Sequence, residues 1–174
     1  MFLTKDEIRG KGIECGDNVF ISDKCSIYGN IKIANNVRID DYCILSGEII
    51  LGSNIHIGAY CGLYGKMGII MSDYTGLSPR CTIFSASDDF SGNYLISPMN
   101  PKETTNVTGG VVILSKFVQI GAGTIIMPDL TIGKGSAIGA MSFVRHSVDP
   151  WEIWAGNPLK FIKDRKQELL KWVK

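Results

Sequence analysis

The stretch Val37-Arg38-Ile39-Asp40-Asp41-Tyr42-Cys43-Ile44-Leu45-Ser46-Gly47-Glu48-Ile49-Ile50-Leu51-Gly52-Ser53-Asn54-Ile55-His56-Ile57 decides the fold. It contains Ile39, Leu45, Leu51 and Ile57, aliphatic residues six apart. Two positions before each stands another apolar residue: Val37, Cys43, Ile49 and Ile55. The pattern extends outward in both directions. Ile21, Ile27 and Ile33 precede it, and Leu63 follows; their partners are Val19, Cys25, Ile31, Cys61 and Met67. In a chain that is 45% apolar, such an unbroken run arises by chance roughly once in a million trials, so the period is a repeat.

Between these positions lie turn formers: Asp17-Asn18, Gly29-Asn30, Asn35-Asn36 and Ser53-Asn54. Asn, Asp and Gly tolerate the backbone angles that corners need. Each hexad therefore reads as a short strand and a corner. Three hexads close a triangular coil of about 18 residues, giving a β-helix of about seven coils. Cys25, Cys43, Cys61 and Cys81 are spaced 18, 18 and 20, as one stacked column. Five cysteines, an odd number, fit free thiols serving as small core residues.

The period slips by two near Lys66–Ile70 and resumes at Met71, Leu77 and Ile83, with Thr75 and Cys81 inward. It then breaks over residues 85–111, a polar stretch holding Pro98 and Pro101. A non-repeat loop of this length in a repeat array is usually functional. The repeat returns as Leu114, Ile120, Ile126, Ile132, Ile138 and Val144. The expected organisation is a cap over 1–14, coils over 15–84, an excursion loop over 85–111, coils over 112–149, and a terminal loop and helix over 150–174. Leu159 to Lys174 reads as a charged amphipathic helix, and Thr4 with Glu7 matches a capping box.

Charge and composition exclude several classes. The 18 Lys+Arg against 17 Asp+Glu leave +1, which argues against a nucleic-acid binder driven by bulk charge. No apolar run is long enough for a membrane span or a signal peptide, so membrane insertion is not expected and the cytoplasm is the default location. The two histidines, His56 and His146, cannot build a three-histidine zinc site within one chain. No metal is expected.

The run Val118-Gln119-Ile120-Gly121-Ala122-Gly123, with Ile138-Gly139-Ala140-Met141-Ser142-Phe143-Val144 and Ala155-Gly156-Asn157-Pro158-Leu159-Lys160, resembles the acetyl-CoA-binding segment of hexapeptide-repeat acyltransferases. The likeness is to the maltose and galactoside O-acetyltransferase branch, from about Cys15 to about Lys163. It implies an all-β fold, a left-handed parallel β-helix, a homotrimer, and active sites between subunits. It implies acetyl-CoA along Gly121, Ala122 and Ala140, with its phosphates near Arg145, His146, Lys160 and Lys163. Each of these cations reads equally as a solvated surface charge, and the small residues also satisfy coil geometry alone.

The family's catalytic histidine falls on Asp88 when the chains are aligned on Pro79. Asp88 or His56 would then supply the general base. A histidine titrating near neutrality suits a hydroxyl better than a carboxylate near 3.9, which ranks His56 first. An amine acceptor would need only a carboxylate or water. His56 sits in an outward row with Arg38 below, Gly76 above, then Gln119. Asp89 and Gln119 are candidate sugar-binding residues. The expected function is acetyl transfer to a sugar or nucleotide-linked sugar, with O-transfer favoured. The alternatives are N-acetylation of an amino sugar, a carbonic-anhydrase-like protein, and a non-catalytic scaffold.

Overall fold

The computed structural model describes residues 1–173. The chain is mostly β and winds into a solenoid of about eight turns. Its first face stacks seven parallel rungs: Val19–Ile21, Val37–Ile39, Ile55–Ile57, Gly76–Leu77, Gln119–Ile120, Ala137–Ile138 and Glu152–Ala155. The other two faces share one sheet, because Ser26–Ile33, Ile44–Leu51 and Gly62–Met71 each run around the corner between them. Farther up, the second face continues as Thr82–Phe84, Ile125–Ile126 and Phe143–Val144. The third continues as Val112–Leu114 and Leu130–Ile132.

The hexad positions line the interior. Ile21, Ile39, Leu45, Ile57, Leu63, Ile83, Leu114, Ile126, Ile132 and Val144 are all fully buried. The corners use the expected chemistry: Asn18, Asn36 and Asn54 adopt positive φ, and their side-chain amides link in a ladder, Asn18 Nδ2 to Asn36 Oδ1 at 2.8 Å and Asn36 Nδ2 to Asn54 Oδ1 at 3.3 Å. The cysteine column has a second role. Each thiol donates to a corner carbonyl of the next coil: Cys25 to Asp40, Cys43 to Gly58, Cys61 to Ser78 and Cys81 to Gly121, at 3.1–3.2 Å. Thr124 Oγ1 continues the series to Gly139 at 3.1 Å. Small inward donors are thus placed where the corner turns a carbonyl into the core, which would otherwise carry an unpaired acceptor.

The slip near Lys66 is a local insertion. Gly47 pairs with Gly65, but Ile49 pairs with Ile69. The extra residues carry Met67 outward, where it is exposed, and Ile69 takes the inward place. The expected inward Met67 is therefore wrong, since the register shifts before it rather than after.

The N-terminal cap forms as expected: helix Lys5–Gly10 has a complete Thr4/Glu7 capping box. The C-terminal α-helix does not form. Lys160–Asp164 is a strand antiparallel to Glu152–Ala155, and only the 3-10 turn Glu168–Trp172 follows. Lys174, the last residue of the expected helix, lies outside the described residues. The physical reason is the open edge of the final rung. Its unpaired amides and carbonyls need partners, and the aromatic and β-branched pair Phe161-Ile162 suits a strand. Arg165 then anchors the tail: its Nη1 donates to the carbonyls of Phe117, Gly135 and Ser136 at 3.1, 2.8 and 3.3 Å.

Candidate active site

The excursion loop leaves the solenoid after Phe84, at the corner between the second and third faces. Its root is a two-stranded hairpin, Ala86–Asp88 antiparallel to Val107–Gly109. Asp89 locks that root. Its backbone N–H donates to Asn106 O at 2.9 Å, its Oδ2 accepts from Asn106 Nδ2 at 3.0 Å, and its Oδ1 accepts from the Ser91 amide at 2.7 Å. The bonds from Ser91 and Asn106 hold the Asp89 carboxyl below the usual carboxylate range. Both oxygens are thus occupied by the loop itself.

Between the loop and the second face lies a cavity of about 640 Å³. One wall is the ladder Tyr64–Phe84, stacked at 5.2 Å between ring centroids with planes 10° apart, with Met127 above. The opposite side carries Phe90 and Pro98. Asp88 lines this cavity. No hydrogen bond or ion pair engages its carboxylate among the described residues, in contrast to its neighbour Asp89. Lys66 and Lys102 line the same cavity. Sequence reasoning missed both, because Lys66 sits in the two-residue insertion and Lys102 in a loop with no periodicity.

His56 stands on the first face, in the row Arg38, His56, Gly76, Gln119 that its spacing implies. It is exposed and does not line the Asp88 cavity. Its Nε2 lies 2.8 Å from Asp40 Oδ2, and Arg38 Nε donates to Asp40 Oδ1 at 2.7 Å. Partial burial pushes the Asp40 carboxyl up, but the bonds from Arg38 and His56 outweigh it and hold the group below its ordinary value. Gln119 turns to the backbone one coil away, Nε2 donating to Tyr74 O at 3.0 Å.

The expected cofactor residues divide among three places: Gly121, Ala122 and Ala140 at the corner between the first and second faces, Arg145 and His146 at the corner after the second-face strand Phe143–Val144, and Lys160 and Lys163 on the tail. The position that follows each first-face aliphatic residue makes a vertical file: Gly58, Ser78, Gly121 and Gly139, linked rung to rung by backbone bonds of 2.7–2.9 Å at Gly58, Ser78 and Gly121. Gly121 serves close coil stacking, since a Cβ there would lie 2.4 Å from Ala140 N. Ala122 and Ala140 are the residues that present small side chains along the outer corner. Lys160 and Lys163 are exposed on the terminal strand, and Arg145 is exposed near it. These three cations have no acidic partner among the described residues, which fits phosphate groups. His146 packs edge-on against Trp154 at 5.5 Å. No cluster of metal-ligating residues occurs among the described residues.

No family model matches the chain. A dTDP-4-amino-4,6-dideoxy-D-glucose acyltransferase of Escherichia coli is 41% identical to it, over 97% of this chain and 91% of that protein. The crystal structure of a Ser→Cys variant of AntD, an N-acyltransferase from Bacillus cereus, in complex with dTDP-4-amino-4,6-dideoxyglucose and coenzyme A, superposes with a TM-score of 0.95 and 47% identity, over 98% of this chain and 94% of that one. The chain belongs to the hexapeptide-repeat acyltransferases. Within these acyltransferases the expected maltose and galactoside branch is a correction. A maltose O-acetyltransferase from Clostridium difficile 630 is only 25% identical, with a TM-score of 0.61 and 75% of its chain covered. The protein is accordingly an enzyme that transfers acyl groups, which sets aside the scaffold and carbonic-anhydrase readings.

Proposed function

We propose that the protein transfers an acyl group from coenzyme A to the amino group of dTDP-4-amino-4,6-dideoxyglucose or a close nucleotide-linked amino sugar. The observation that carries this reading is likeness along nearly the whole chain, at 41% and 47% identity, to a protein named for that acceptor and one crystallised with it. The reading replaces favoured O-transfer by the N-transfer alternative. AntD has also been crystallised with dTDP and 3-hydroxybutyryl-CoA, so the acyl group extends here beyond acetyl to short acyl chains of that kind.

The Asp88 carboxylate supports this chemistry. The acceptor's ammonium gives one proton to water, and the free amine attacks the thioester carbonyl and forms a C–N bond. Its nitrogen then carries excess positive charge and becomes acidic enough for an ordinary carboxylate to take the proton. The C–S bond breaks, and coenzyme A leaves as thiolate and is protonated. A hydroxyl would need a stronger base; an amine does not, which accounts for an aspartate where the sugar O-acetyltransferases resembled above have histidine. Ala122 and Ala140 would flank the pantetheine arm, with Arg145, His146, Lys160 and Lys163 near the phosphates. His56 and Gln119 lie on the adjoining first face.

A homotrimer with a left-handed wind belongs to the same proposal. The Asp88 cavity lies at one edge of the second face and Ala122 and Ala140 at the other. Four strand residues separate them, roughly 13 Å at 3.3 Å each. In a trimer, the corner carrying Ala122 and Ala140 on one copy and the Asp88 cavity of a neighbouring copy would line one site together. We place the enzyme in the cytoplasm on the chemistry of its co-substrates. The test is release of the coenzyme A thiol with dTDP-4-amino-4,6-dideoxyglucose, set against maltose and galactosides. Turnover with the amino sugar alone is expected; turnover with the plain sugars alone would overturn the proposal.

A further inference from the structure

We infer that the cavity under the excursion loop holds the nucleoside diphosphate of the acceptor, with Lys66 and Lys102 on the diphosphate and the base against the aromatic wall of Tyr64 and Phe84. The inference rests on the proposed function and deepens it.

Three observations converge on that cavity. The first is charge. Its lining carries two lysines and the free Asp88 carboxylate. Neither lysine takes part in any ion pair among the described residues, whereas Lys5, Lys24, Lys32, Lys116 and Lys171 all do. A nucleotide-linked amino sugar carries the mirror image: two negative charges on the diphosphate and one positive charge on the ammonium. Unpaired cations and an unpaired anion in one cavity fit a ligand with both signs. A neutral sugar or a simple acyl chain has no use for them.

The second is the aromatic wall. Phe84 covers one face of the Tyr64 ring. Both rings line the cavity, with Phe90 of the loop, and together they offer a planar base an apolar aromatic wall. Phe90 on the loop, 78% exposed, stands across the same cavity. The third is size. A cavity of about 640 Å³ lies in the range of sites that enclose a whole small ligand, and is larger than a single sugar ring requires.

Binding of dTDP, by titration calorimetry and as a competitive inhibitor against the amino sugar, tests the inference. Loss of one charge-assisted bond to phosphate is worth roughly tenfold, so Lys66→Ala with Lys102→Ala is expected to weaken dTDP binding roughly 100-fold. The KM for the amino sugar should rise in parallel, while the KM for acyl-CoA stays within about twofold of wild type. Lys66→Arg with Lys102→Arg should restore most of the binding, which a merely structural loss would not do. The double alanine variant is expected to melt with wild type, because both side chains are exposed. Unchanged dTDP affinity in it would overturn the inference and leave the proposed function standing, provided that the wild type turns over the amino sugar. A wild type that neither binds dTDP nor acylates the amino sugar would overturn both.

Discussion

Replacing Arg165 by alanine should unfasten the C-terminal tail. Nη1 of Arg165 reaches three main-chain carbonyls, those of Phe117, Gly135 and Ser136, and its own amide donates to Trp151 O at 2.7 Å. Burial lowers the Arg165 pKa, yet a guanidinium stays charged at neutral pH. One nitrogen has two hydrogens, so two of the three bonds are strong at a time. A hydrogen bond to a charged group contributes about 1.5–3 kcal/mol. The side chain is half-buried, so water can replace part of what is lost, leaving about 2–3 kcal/mol. For a domain of this size each kcal/mol moves Tm by 2–4 °C, giving a drop of roughly 4–12 °C. Thermal melting by circular dichroism reads it. The strand Lys160–Asp164 precedes the clamp directly, so the KM for acyl-CoA should rise as well, with kcat changed less. Arg165→Lys should recover part of the loss, because all three bonds come from one nitrogen and an ammonium also presents its donors from one atom. A variant that melts within about 1 °C of wild type would refute the idea that this contact holds the tail.

Gly121→Ala should destabilise the upper coils by about 1–3 kcal/mol, because the new methyl meets the Ala140 backbone at 2.4 Å; limited proteolysis above residue 121 should show it. Asp88→Asn should lower kcat about 10²–10⁴-fold if it is the base, with dTDP binding retained; Asp89→Asn should instead loosen the loop root and raise the acceptor KM. The Asp40 pKa is held low in the folded state, so its stabilising contribution is full above the unfolded value near 3.9 and is lost as pH falls through the folded value. Asp40→Asn should therefore flatten the dependence of Tm on pH below about 4, an effect that a melt series at constant ionic strength would detect.

The solenoid is legible in the sequence because its core is one-dimensional. Each inward residue meets the residue one coil away, so Ile39, Ile57 and Leu77 announce their contacts by spacing alone. Legibility ends where contacts stop being periodic. Met67 and Ile69 exchanged places because a two-residue insertion is silent as to where it bulges. The tail read as a helix from its apolar positions, but the vacant edge of the last rung decided in favour of a strand. Arg165 carries no motif: its partners Phe117 and Gly135 are 48 and 30 residues away. Asp88 stands out in the sequence only by alignment on Pro79, and its difference from Asp89 is visible only in three dimensions, where the Asp89 carboxylate is tied to Asn106 and Ser91 and that of Asp88 is free among the described residues. In the sequence alone only that position bears on amine against hydroxyl, and intrinsic pKa favours His56 only on the premise of a hydroxyl.

The bond formed in the product separates amine from hydroxyl transfer. The enzyme is incubated with acetyl-CoA and dTDP-4-amino-4,6-dideoxyglucose, and the acylated nucleotide sugar is isolated and treated with mild alkali or hydroxylamine before mass spectrometry. A single added acyl group is expected that survives the treatment, as an amide at the 4-amino position does. An acyl group that is released, as an ester would be, or the absence of any acylated product while plain sugars are acetylated, would contradict transfer to the amine.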